Sequence, residues 1–230
     1  MKILTAIPIH VSKDYCAERW FENVFKLEYP ADLLLVDNSP GTDYAEKLKK
    51  YCSKYGINPV RSSLTEVSLE TRDKVASETS YGVKNYKIEH LELPLEQGKF
   101  ERIARSREVI RREVLDKGYD GWFSWENDQL IPTNTLGELV KMMRSADFSM
   151  VELNGWDREI PNFPNFDWGV ALISRGALEK YSFILEFGTD PEMPATWEPG
   201  EAWFRKRVLR GGGSCLQADG TIGPIYHLNE

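Results

Sequence analysis

Continuous apolar runs and stretches of helical period take turns along this chain, and their order predicts most of its elements. The run from Met1 to Pro8, rich in β-branched residues and closed by proline, has the length of a buried strand. From Asp14 onward, Tyr15, Trp20, Phe21, Val24, Phe25 and Leu27 recur at helical spacing, and Tyr29-Pro30 closes that helix. The unbroken apolar run from Asp32 to Asp37 predicts a parallel strand covered on both faces. A turn at Asn38 to Gly41, a helix over 43–55 and a short strand at 57–61 complete a β-α-β-α-β series. Further on, Ile103, Ile110 and Val114 share a narrow arc of a helix over 99–117, which Gly118 ends as a C′ glycine. Residues 120–125 form an aromatic strand, 132–145 a helix with a proline start, 148–153 and 168–174 strands, and 176–181 and 198–209 helices.

That alternation predicts an α/β fold with a mixed, mostly parallel central sheet flanked by helices. With no repeat and no linker, the chain is expected to be one domain over 1–230, with halves at 1–130 and 131–230. Residues 62–97 are polar and weakly periodic, so they are expected to form an insertion or flap.

Composition narrows the class. Of 230 residues, 41% are hydrophobic and seven are Trp, enough to build a sizeable core and to exclude a disordered chain. A net charge of −7 disfavours a broad nucleic-acid surface. Cys16, Cys52 and Cys215 are widely spaced and odd in number, which predicts neither a disulfide framework nor a thiolate zinc site. Without a leader pattern or a run of about 20 uncharged apolar residues, a cytoplasmic location without a membrane span is expected.

The candidate chemistry gathers at strand ends. Glu126-Asn127-Asp128 emerges from the aromatic strand where a sheet of this kind binds ligands, and paired carboxylates suit Mg²⁺ or Mn²⁺, ions that in turn bind diphosphate. The alternative is a polar turn with Asp128 capping the next element. Asp37 ends the second strand in the same way, or else caps a turn with Asn38 and Ser39. Arginines of the 99–117 helix could meet diphosphate through their fork of donors. On the helical wheel Arg107 lies about 40° from the apolar stripe, Arg102 about 100° on its other side, and Arg105 nearly opposite.

Taken together, the strand ending at Pro8, the strand ending at Asp37, the Ala104-Arg105-Ser106-Arg107 helix and the strand into Glu126-Asn127-Asp128 resemble the GT-A glycosyltransferases, particularly the family 2-like group. Glu126 stands where that group has its first aspartate and Ser106 where asparagine is common. The resemblance implies that Pro8, Ile9 and His10 line a nucleotide and that Asp37 contacts its base or ribose. Arg102 and Arg105 would lie by the diphosphate, and Asn127 and Glu126 would face the donor. Asp128 would hold Mn²⁺ or Mg²⁺ with Glu126 and a late His227. Glu201, or nearby Glu198, would be the general base of an inverting transfer. Trp168-Gly169 resembles the family's glycine-bearing strand near the acceptor; Trp156 and Trp197 are further stacking candidates for sugar. The implied activity moves a sugar, hexosyltransferase-like, from a nucleoside diphosphate sugar to a hydroxyl on a saccharide, lipid-linked or protein acceptor. The alternative is a non-catalytic nucleotide or nucleotide-sugar binding protein of the same fold.

The missing glycine signature after the first strand excludes a dinucleotide-dependent oxidoreductase and a P-loop NTPase.

Overall fold

A computed structural model describes residues 1–60, 82–94, 98–153, 168–218 and 220–229. Among these, strands β1 (Ile3–Ile9), β2 (Ala31–Asp37), β3 (Asn58–Pro59), β4 (Val83–His90), β5 (Gly121–Trp125), β7 (Met150–Leu153), β8 (Val170–Ser174) and β9 (Cys215–Gln217) form one sheet in the order β3-β4-β2-β1-β5-β8-β7-β9. β8 runs antiparallel to both β5 and β7, and the remaining pairings are parallel. The predicted architecture of a mixed, mostly parallel sheet flanked by helices is the observed one.

The apolar runs are continuous because both faces of the sheet are covered. Ile3, Ile7 and Ile9 of β1 and Leu33 and Leu35 of β2 pack under helices α1 (Asp14–Phe25), α2 (Asp43–Lys54) and α4 (Thr135–Ser145). Their neighbours Leu4, Ala6, Leu34 and Val36 face α3 (Lys99–Asp116), α5 (Arg175–Lys180) and α6 (Gly200–Arg210). Each large side chain fully removed from water contributes about 1.5 to 3 kcal/mol, so this two-sided burial dominates the stability. On the second face Trp122, Trp168, Phe183 and Phe204 form an aromatic cluster, and Trp122 donates its indole N–H to the Ala6 carbonyl at 2.8 Å. Gly118, at φ 65°, ends α3 as expected.

The sequence reading of 62–97 as an insertion or flap needs correction over 83–90. That segment is β4, inserted in the sheet beside β2. Its pattern is obscured because only Val83 and Tyr86 are buried, while mostly polar and charged residues occupy the positions between and after them. Residues 61–81 and 95–97 lie outside the described residues. The three cysteines are thiols, and burial pushes the Cys52 thiol up to about 12 and that of Cys215 to about 11. Among the described residues no helix is long and apolar enough to cross a membrane.

Candidate functional site

β1, β2 and β5 lie side by side at the centre of the sheet, and the chain leaves all three at the same edge. The register sets Ile9 beside Asp37 and Ala6 beside Ser124. Between this edge, α3 and the start of α6 opens a cavity of about 360 Å³. Pro8, Ile9 and His10 line it, together with Arg102, Glu126 and Asn127, so the loop after β1 and the loop after β5 meet there. Ligand binding outside the carboxyl ends of parallel strands follows from where the connecting loops converge.

Asp37 departs from its expected role at the surface of that cavity. Its side chain is fully buried; Oδ1 accepts from the Ser39 amide at 3.0 Å and Oδ2 meets His90 Nδ1 at 3.1 Å. It ties the ends of β2 and β4 together, and Asn38 lines the cavity in its place. The Asn38 amide donates to Ser106 Oγ at 3.0 Å, and that hydroxyl donates to the Arg102 carbonyl at 2.9 Å. The Val11 amide donates to Ser39 Oγ at 2.8 Å, pinning the loop after β1 to the end of β2. His10 Nδ1 accepts from the Ser12 amide at 3.1 Å, so the neutral ring carries its proton on Nε2. Burial, and then the Arg102 cation, hold this imidazole below its usual pKa, against a smaller upward pull from Asp37.

Arg105 lies outside the cavity. It points to the far side of α3, where its Nε and Nη2 donate to Glu101 at 2.9 and 2.7 Å. Arg107, on the apolar side of the same helix, lines the cavity together with Arg102.

The acidic triplet encloses a cation of the chain itself. Lys13 Nζ donates to Asp128 Oδ2 at 2.8 Å and stands 3.7 Å from Glu126 Oε2. Asn127 Nδ2, between the two acids, donates to the Lys13 carbonyl at 3.4 Å. Burial alone would lower the Lys13 pKa, but Glu126 and Asp128 outweigh it and the ammonium ends above its ordinary value. His227 does stay docked at the end of the chain: β10 (Tyr226–His227) pairs antiparallel with β6 (Gln129–Leu130), and Leu228 donates to the Asp128 carbonyl at 2.7 Å. Its Nε2, however, faces the Gln129 side-chain amide at 2.8 Å. Among the described residues no group of three or more His, Cys, Asp or Glu is gathered for a metal ion. Glu126 and Asp128 thus share one ammonium, and a divalent ion held by the same two carboxylates would need waters and donor oxygens to complete its shell.

The opposite wall comes from the C-terminal third. Glu201, in the first turn of α6, pairs through Oε1 with Arg107, and its Oε2 accepts from the Trp168 amide at 3.2 Å. Glu198, just before the helix, is exposed at the cavity rim, and Trp197 beside it meets Phe187 edge to face at 5.4 Å. Trp168 is not available to stack a sugar. It is 1% exposed, packed among Trp122, Phe183 and Phe204, with the Arg107 guanidinium 5.4 Å from its ring centre. Gly169 lies against Gln129, whose side chain occupies the place of an added Cβ. Trp156 lies outside the described residues.

Lys13, Asn38, His90 and the inward role of Arg107 escape a reading by motif. For Lys13 the available signal is position, a basic residue in the loop after β1 that also carries His10. For Arg107 it is the helical wheel.

No protein-family model matches the chain, and no curated protein matches its sequence. Solved structures do match. The structure of S. aureus TarS residues 1–349 superposes with a TM-score of 0.57 at 12% identity, covering 91% of this chain and 56% of that one. TarS 1–349 in complex with UDP-GlcNAc gives 0.51 at 11% identity over 78% of this chain and 47% of the other. A longer TarS structure gives 0.50 at 14% identity over 78% of this chain and 29% of the other. At such identities the likeness is one of fold. This chain spans little more than half the length of the 1–349 structure.

Proposed function

We propose that this chain transfers a sugar from a nucleoside diphosphate sugar to a hydroxyl acceptor. The observation that carries this reading is the cavity itself, at the carboxyl ends of β1, β2 and β5, in a fold shared with TarS, which has been solved with UDP-GlcNAc. The nucleoside end lies against Pro8, Ile9, Asn38 and His10. Asp37 acts from beneath by fixing Ser39 and His90. Arg102 and Lys13 meet the diphosphate from two sides, and Asn127 holds the loop that brings Lys13 there.

Transfer in this site is a single displacement with inversion. The acceptor oxygen bonds to the anomeric carbon as the bond from that carbon to the diphosphate oxygen breaks, and the electron pair leaves on the diphosphate. The acceptor proton goes to Glu198, whose exposed carboxylate is at the cavity rim. Glu201 has both oxygens engaged, by Arg107 and the Trp168 amide, and keeps the wall in register. Trp197 supplies the aromatic face for the acceptor. Mn²⁺ or Mg²⁺ enters this scheme only by displacing Lys13 from Asp128, where such an ion would neutralise the departing diphosphate.

The test is a panel of nucleotide sugars scored by thermal shift and by donor hydrolysis. A donor that binds the folded chain raises its melting temperature. Absence of both a shift and turnover across the panel refutes the proposal. Binding without turnover supports the second reading, a nucleotide-sugar binding protein.

A further inference from the structure

We propose that Lys13 is the resident cation of this site and receives the donor's diphosphate, so that the donor binds without a divalent ion; this rests on the nucleotide-sugar reading and refines it. Lys13 is held from several directions. Its amide donates to the His10 carbonyl at 3.0 Å, and its own carbonyl accepts from Cys16 Sγ at 2.9 Å and from Asn127 at 3.4 Å. Its ammonium is then drawn to Asp128 at 2.8 Å and Glu126 at 3.7 Å. All three residues of the acidic triplet therefore act on one lysine.

The geometry leaves that lysine able to do more. Asp128 is 2% exposed at its side chain and lies behind the ammonium, whereas Lys13 is 34% exposed and opens on the cavity. An ammonium has three N–H donors, and the short contact to Asp128 uses one of them. The rest can reach a phosphate oxygen, a role in which lysine acts as a compact point charge. Lys13 also stands at the N-cap of the 12-residue helix α1, whose dipole favours an anion on the same side.

Charge around the cavity agrees. Four basic side chains, Lys13, Lys99, Arg102 and Arg107, line it against three acidic ones, in a chain whose net charge is −7. Arg107 is paired with Glu201 and Lys13 with Asp128 behind it, so Lys13 and Arg102 are the cations placed beside the loop after β1. A divalent ion would have to expel the ammonium from Asp128 and then find further oxygen ligands, while His227 is turned to Gln129.

Isothermal titration of the full chain with ADP, CDP, GDP and UDP, each in EDTA and in Mn²⁺, tests this, with the matching nucleosides as controls. At least one diphosphate is expected to bind in EDTA, with Mn²⁺ changing its Kd by less than about threefold. K13M should weaken that diphosphate by about ten- to a hundredfold, the range of a charge-assisted hydrogen bond, while K13R retains most of the affinity. The nucleoside, lacking phosphates, should bind K13M and wild type alike, which reports an intact site. Binding that requires Mn²⁺ in the wild type overturns the proposal in favour of a divalent ion between the acids, and this arm needs no variant to fold. Equal diphosphate affinity of K13M and wild type also overturns it. Failure of every diphosphate in both conditions refutes the nucleotide-sugar reading itself, so the two failures are distinct.

Discussion

Arg107 of α3 and Glu201 of α6, 94 residues apart in sequence, form an ion pair across the wall of the cavity. Their side chains are only 10% and 21% exposed, and Glu201 also fixes the Trp168 amide. Removing one partner leaves a largely buried charge uncompensated. R107M is therefore expected to cost about 3 kcal/mol in urea unfolding, with much of the loss recovered in R107M/E201Q. A single-variant cost below about 0.5 kcal/mol would reduce the pair to a surface contact.

The two carboxylates at the head of α6 should separate by kinetics. E198Q is expected to lower kcat by about two to four orders of magnitude, the usual worth of a general base, with donor affinity unchanged. E201Q should instead lower stability and raise the acceptor KM. The opposite assignment of effects would return the base to Glu201.

His10 makes the site sensitive to acid. Burial and Arg102 hold its imidazole below the ordinary value of 6.5, so the folded state favours the neutral ring. The unfolded chain takes up that proton first as pH falls, and the stability present above 6.5 is lost progressively as pH drops toward the folded value. Unfolding curves of H10N should decline less between about pH 7 and pH 5 than those of wild type. Parallel curves would mean that His10 titrates alike in both states.

Two tryptophans have opposite duties. Trp122, fully buried and hydrogen-bonded to Ala6, should cost about 3 to 5 kcal/mol as W122A. Trp197 is at the cavity rim, and W197A should leave the melting temperature nearly unchanged while raising the acceptor KM. A large stability loss in W197A would place it with the core.

Gly169 tests the tail. A Cβ there meets the Gln129 side chain, which is itself buried and holds His227. G169A is expected to displace Gln129, loosen the β6–β10 pairing and speed amide exchange at Leu228, whose N–H bonds Asp128. Unchanged exchange at Leu228 would show that Gln129 can relax without moving the tail.

Local patterning reaches far in this molecule. The runs at 1–8, 32–37 and 120–125 become adjacent central strands because a segment buried on both faces must be apolar throughout, a property each segment carries by itself. The same patterning locates the cavity, since the loops that follow these strands share an edge. It misses β4, where burial of Val83 and Tyr86 alone leaves a sequence that looks solvent-facing.

What each charged residue does was decided by tertiary structure. Asp37 and Asp128 look alike in sequence, each an acid beyond an apolar strand, yet one is sealed beneath the cavity by Ser39 and His90 and the other holds Lys13. Arg105 and Arg107 differ by two positions; the helix itself pairs the first with Glu101 one turn back, and chain closure brings Glu201 to the second. Hydrophobic burial is nearly additive along a segment and so can be deduced from periodicity. A charge depends on the single partner within a few ångströms, and for Lys13 that partner lies 115 residues away.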